Sequence, residues 1–249
     1  MSTWLDPVRA ALEQIERPSH WFFRDDDAGW ADDRLEILLN CFTEWAVPLD
    51  LAVIPTELRD DLADALLRRY ADRPNLLGVH QHGYSHTNHE ITGRKCEFGA
   101  SRSALQQSRD IEQGAKRLRN QLGGAIDAIF TPPWNRCSSA TVAALQASGL
   151  RALSRDVSAA PLDLGDLTEI PVCVDWSKYR DGAQIIPAVL AANLAAAANR
   201  SPVGIMLHHA VMTPADFTAL GEFLALLKRQ PNVKCVPMRA LFATATQLA

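Results

Sequence analysis

The sequence predicts an α/β fold in which seven or eight strands alternate with helices around a closed or nearly closed parallel barrel. Three observations carry this expectation. Short runs of β-type residues alternate along the whole chain with longer patterns of helical period, the arrangement that builds βα units on a parallel sheet. No Gly-x-Gly-x-x-Gly run follows the first strand, which argues against an open dinucleotide-binding sheet. Histidine, aspartate and tryptophan recur just after several of the runs, where a parallel barrel carries its chemistry.

The elements follow in order. The N-terminal stretch up to Phe23 alternates apolar and charged residues at helical spacing and lacks the unbroken apolar run of a secretory signal. Strands are expected at 21–24, 49–54, 76–82, 128–131, 152–154, 170–174, 204–208 and 233–236, each a short apolar or β-branched run. Helices are expected between them at 33–45, 57–71, 103–122, 139–148, 188–199 and 214–228, with a last one from Met238. In the third of these, Leu105, Ile111, Leu118 and Leu122 recur on one face while polar residues fill the other, so it should pack outside the barrel. The alanine-rich stretch from Ile186 to Ala198 is too short to cross a membrane.

At 249 residues and 47% hydrophobic content the chain can bury a full core, and no Ser, Gly or Pro tract divides it, so residues 1–249 read as one domain. A formal net charge of -4 offers no basic field for nucleic acid. The expectation is a soluble cytoplasmic protein with no membrane and no nucleic-acid partner. Five scattered cysteines without a Cys-x-x-Cys pair read as free thiols. Nothing in the sequence reports an oligomeric state.

The chemistry-bearing residues cluster. Strand one ends in Arg24, Asp25, Asp26 and Asp27, then Gly29; adjacent carboxylates at a strand end need a cation or hydrogen-bond donors, or else cap the following helix. Strand three runs into His80, His82, His86 and His89, four of the chain's seven histidines in ten residues. His82 and His86 can chelate a divalent ion if the segment turns after Gly83, with an aspartate from the first strand as partner. Strand four leads to Thr131, Pro133 and Trp134, strand six to Asp175 and Trp176, and strand seven to His208 and His209.

Together these residues resemble the polysaccharide deacetylase family of carbohydrate esterases, chitooligosaccharide deacetylase-like, over roughly residues 20 to 210. The resemblance implies an irregular (β/α)7 barrel, TIM-barrel-like. It implies that Asp26 is the general base and Asp27 a metal ligand, with Asp25 and Asp26 as the other register, and that His82 and His86 of HGYSH bind the ion. Gly83 stands where that family has a hydroxyl residue, and Thr131 stands where it has an arginine before Pro and an aromatic. Arg24 or Arg136 would supply the lost charge, or the base is steadied differently. Asp175 and Trp176 look like the fourth motif, and Leu207 with His208 or His209 like the fifth, which carries the general acid.

The resemblance further implies one divalent metal ion, zinc first with cobalt, iron or nickel as alternatives, and hydrolysis of a non-peptide C–N bond, N-deacetylation of a sugar or related small amide. Arg24, Asp25, His80, Thr131, Pro133, Trp134 and Trp176 would line the substrate site. Two rival readings stand beside it. One is an amidohydrolase-type barrel, because His80-Gln81-His82 is a His-x-His at a strand end; the other is a non-catalytic barrel that holds a glycan or metabolite.

Overall fold

A computed structural model describes residues 3–243. The strands are β1 (Ser19–Ala28), β2 (Leu49–Val53), β3 (Leu77–His82), β4 (Ile126–Thr131), β5 (Ala152–Leu153), β6 (Thr168–Glu169), β7 (Val174–Asp175), β8 (Arg180–Asp181), β9 (Gln184–Ile185), β10 (Val203–Leu207) and β11 (Val233–Cys235). The helices are α1 (Asp6–Glu13), α2 (Asp32–Trp45), α3 (Asp60–Asp72), α4 (Ala104–Leu122), α5 (Ser139–Ala147), α6 (Pro187–Ala197), α7 (Pro214–Lys228) and α8 (Arg239–Ala243). All the main-sheet pairings are parallel, in the order β6-β5-β4-β3-β2-β1-β10-β7, with β11 added to the first half of β1.

The two ends of that order are consecutive in the chain. Val172 N donates to Arg155 O beyond β5, and the next residue, Cys173, donates to Gly204 O on β10. A single stretch from β6 to β7 therefore touches both edges of the curled sheet and closes an irregular (β/α) barrel of seven staves. The expected strand at 170–174 is corrected accordingly: its middle residues are the crossing point, and the paired residues lie on either side. The helical spacing of the N-terminal stretch is realised in α1, and the β8–β9 hairpin is an addition that no expected element covers. On α4, Ile111, Leu118 and Leu122 are buried, but Leu105 in the first turn is 60% exposed and leaves the predicted face.

Two apolar layers show which way each strand faces. Trp21 and Phe23 of β1 belong to the layer between sheet and helices, with Leu49, Leu51 and Val53 of β2 and Val203, Ile205 and Leu207 of β10. Phe22 instead packs with Ile129, Met206 and Met238 inside the barrel. Because side chains alternate along a strand, Arg24 and Asp26 follow Phe22 inward while Asp25 follows Phe23 outward.

Candidate metal centre and active site

Asp27 completes a group that begins on two strands. The β1–β2 register shifts between Asp25 and Ala28, and Asp27 has a left-handed backbone (φ 69°), so a bulge re-aims its carboxylate over the rim. His82 ends β3, and His86 follows after the turn through Gly83. The Nε2 atoms of His82 and His86 each lie 3.1 Å from Oδ1 of Asp27. Ligand atoms about 2.1 Å from a common ion sit about 3 Å apart, so this spacing suits one. Among the described residues, these are the three His, Cys, Asp or Glu side chains gathered closely enough to hold it. His82 Nδ1 donates to Thr131 O at 3.0 Å, so loss of the Nε2 proton would free that nitrogen's lone pair for coordination. Burial pushes the Asp27 carboxyl up, but hydrogen bonds from the two histidines outweigh it and hold it well below the usual carboxylate range.

Arg24 and Asp26, two apart on the inner face of β1, form a fork-to-fork pair. Arg24 Nε donates to Asp26 Oδ1 at 2.7 Å and Nη2 to Asp26 Oδ2 at 2.9 Å. The guanidinium is fixed in turn by Ser154 Oγ at 2.7 Å and Asn135 Oδ1 at 2.8 Å. Burial would raise the Asp26 pKa, yet Arg24, His82 and His208 hold it below its ordinary value. Arg136 plays no part here: its Nη1 donates to Lys95 O at the surface.

The two histidines after β10 separate by the same alternation. His209 turns outward with Asp25, donating from Nδ1 to Asp25 Oδ2 at 2.6 Å and from Nε2 to Trp30 O at 2.7 Å. Burial pushes this imidazole down, but the Asp25 charge and the Trp30 carbonyl hold it up at about 9, so both nitrogens keep their protons at neutral pH. His209 and Asp25 thereby form a buried pair behind β1 that pins the loop after it, rather than groups free for a substrate or a proton transfer. His208 turns inward, where its charge acts on Asp26, Asp27 and Asp175, and its Nδ1 has no partner among the described residues. Asp175, half-buried at the end of β7, also accepts from Ser177 N at 2.9 Å.

The remaining expected residues divide. Thr131 sits at the centre, its hydroxyl 2.9 Å from His80 Nε2 and its carbonyl on His82. Burial and the Arg24 charge push the His80 imidazole down to about 3, so it stays neutral behind the ligands and out of a substrate's reach. Pro133 is buried against Gly83, and Trp134, with φ 56°, places its ring 4.5 Å from that of His86. Trp176 is corrected: it is fully buried, edge-on to Trp4 at 6.4 Å and against Phe223 at 5.8 Å, and belongs to the layer under α6 and α7. A second indole against the His86 ring is Trp30, at 4.8 Å and 37% exposed. Sequence reasoning missed Trp30, Ser154 and the side chain of Asn135. Trp30 closes the same WFFRDDDAGW run and could have been flagged by position; the other two are marked by no motif.

Fold and rim together define a parallel (β/α) barrel with a candidate metal centre at the carboxyl ends of its strands. Its fold is that of the polysaccharide deacetylases and family 4 carbohydrate esterases. A protein assigned as a polysaccharide deacetylase in Mycobacterium smegmatis superposes with a TM-score of 0.70 at 18% identity, over 94% of this chain and 93% of that one. A family 4 acetyl xylan esterase from Clostridium thermocellum, solved with a cobalt ion, gives 0.59 at 16% identity over 91% and 92%. A family 4 pseudoenzyme from Bacillus anthracis gives 0.58 at 13% identity over 91% of this chain and 66% of that one. No family model and no curated protein matches the sequence.

Proposed function

We propose that the chain is a metal-dependent deacetylase of an acylated carbohydrate, hydrolysing a non-peptide C–N bond, with an N-acetylated sugar or related small amide as substrate. The observation that carries this reading is the Arg24–Asp26 pair beside the Asp27, His82 and His86 cluster. A carboxylate held ionised beside a three-ligand centre is what base-assisted hydrolysis requires. The donor set of two imidazole nitrogens and one carboxylate oxygen fits zinc, and also cobalt, iron or nickel. When bound, such an ion lowers the pKa of water and polarises a carbonyl.

The chain's own residues do the rest. Asp26 takes a proton from the attacking water while Arg24 keeps its carboxylate in place. His208 delivers a proton to the amine as the C–N bond breaks, with Asp175 facing it. The amides of Asn135 and Arg136 are engaged by Pro132 O and Pro133 O, so the Trp134 N–H is the candidate oxyanion donor. Trp30 and Trp134, both against the His86 ring, offer flat walls to a sugar ring. A soluble cytoplasmic substrate belongs to the same proposal.

Acetate release from N-acetylated chitooligosaccharides and from small amides, measured after chelation and again after adding back zinc or cobalt, tests the reading. Metal-restored release supports it. A non-catalytic barrel would bind the sugar and release no acetate under any metal.

A further inference from the structure

We propose that Glu97 is the positioning residue of the metal centre, an internal anion that holds the turn between the two histidine ligands and so sets the place of His86. The inference rests on Asp27, His82 and His86 being the ligand set. Glu97 is fully buried although it lies on the long connection between β3 and α4. Its carboxylate accepts from Tyr84 N at 3.2 Å, Ser85 N at 2.8 Å and Ser85 Oγ at 3.1 Å. Two consecutive backbone N–H groups converging on one carboxylate form a nest, a ready anion site that the chain fills with its own side chain.

Gly83 is what makes room for it. A Cβ there would lie 2.6 Å from Cγ and Cδ of Pro133 and closer still to Glu97 Oε2, and the residue already has φ 55°. Glycine therefore meets two demands at once, a left-handed backbone and space for the carboxylate. Glu97 is itself held from behind: Phe98 packs its ring on Phe130 of β4 at 5.3 Å, and Phe98 O accepts from Ser138 N.

The rest of the turn is tethered at its start. Gly83 N donates to Thr131 O, Gln81 Nε2 donates to Gly83 O, and Thr56 N donates to Tyr84 O. Beyond Tyr84 the tether is Glu97. His86, at the far end, has a strained φ of 53°, and among the described residues its ring meets Asp27, His82 and the two indoles in ring or ionic contact. His82 is fixed independently through Thr131 O. Removing the carboxylate frees two N–H groups and lets the turn relax, which displaces His86 and leaves His82 in place.

Zinc affinity, measured by competition with a chromophoric chelator, and the Co(II) absorption spectrum decide the matter on the full chain. Glu97→Ala should weaken zinc binding about 10- to 100-fold and alter the cobalt bands, with Glu97→Gln, which keeps one acceptor, in between. Leu118→Ala, a cavity in the buried face of α4, should lower the melting temperature while affinity below that temperature stays native. In a His86→Ala background Glu97→Ala should cost little further affinity, because it acts through His86. Native affinity and native cobalt bands in Glu97→Ala overturn the inference, and if that variant does not fold, the same result in Glu97→Gln does so. Absence of zinc binding by the unmutated protein overturns both the inference and the ligand set beneath it.

Discussion

Asp26 and Asp50 sit on neighbouring strands, equally buried inside the barrel, and the surroundings send them in opposite directions. Asp26, near the carboxyl rim, meets the fork of Arg24 and is held below its ordinary pKa. Asp50, on β2 nearer the amino end, has one oxygen on Met238 N at 3.0 Å and none on the other among the described residues. Burial, with Asp127 adding to it, pushes Asp50 up to about 8, because the nearby Arg239 spends its hydrogen bonds on Asp127, Leu77 O and Pro74 O. Depth alone does not decide which acid is charged; the paired cation does. One end of the barrel keeps a carboxylate ionised, and the other keeps one protonated at neutral pH.

The contrast can be broken most severely at Asp26. Asp26→Asn should lower turnover by about 10^2 to 10^4 while metal stoichiometry stays unchanged, since the ligands are elsewhere. Near-native acetate release by this variant would remove Asp26 from the chemistry. Arg24→Gln should destabilise the fold by about 3–5 kcal/mol at neutral pH by leaving Asp26 buried without its cation, read by urea unfolding. Combining it with Asp26→Asn should cost less than the sum, because the orphaned charge goes too.

At the other end the effect reverses sign. Asp50 has a folded pKa of about 8 against an ordinary 3.8, so the native state holds the extra proton between those values and stability falls as pH rises through that window. Asp50→Asn, which keeps an acceptor for Met238 N, should therefore raise stability on the order of a few kcal/mol near pH 8 and leave it unchanged near pH 3. A gain independent of pH would show that Asp50 is charged in the folded protein. The smallest effect belongs to the rim: Trp30→Ala should raise KM several-fold for a sugar substrate with little change in kcat or melting temperature. An unchanged KM would mean that the exposed indole does not meet the substrate.

Much of the site lies in local spacing and was legible. His82 and His86, four apart after a strand and separated by a glycine, announce a chelating pair without any tertiary information. The replacement of the expected arginine by Thr131 was legible too, and so were Arg24 and Arg136 as candidates for the lost charge; only the fold chose Arg24, which reaches Asp26 because both face inward. Glu97 lies 11 residues beyond His86 in a connection with no periodic pattern, so only the folded chain brings it under the turn.

By itself the sequence determined the alternation of strands and helices, the parallel barrel and the end of it that carries chemistry. Tertiary structure decided which member of each doublet turns inward: Asp26 rather than Asp25 faces Arg24, and His208 rather than His209 faces the rim. The reason is that barrel strands are buried on both sides, so Trp21, Phe22 and Phe23 are all apolar and no hydrophobic alternation marks inside from outside. With that mark missing, only the packed layers tell which aspartate and which histidine turn inward.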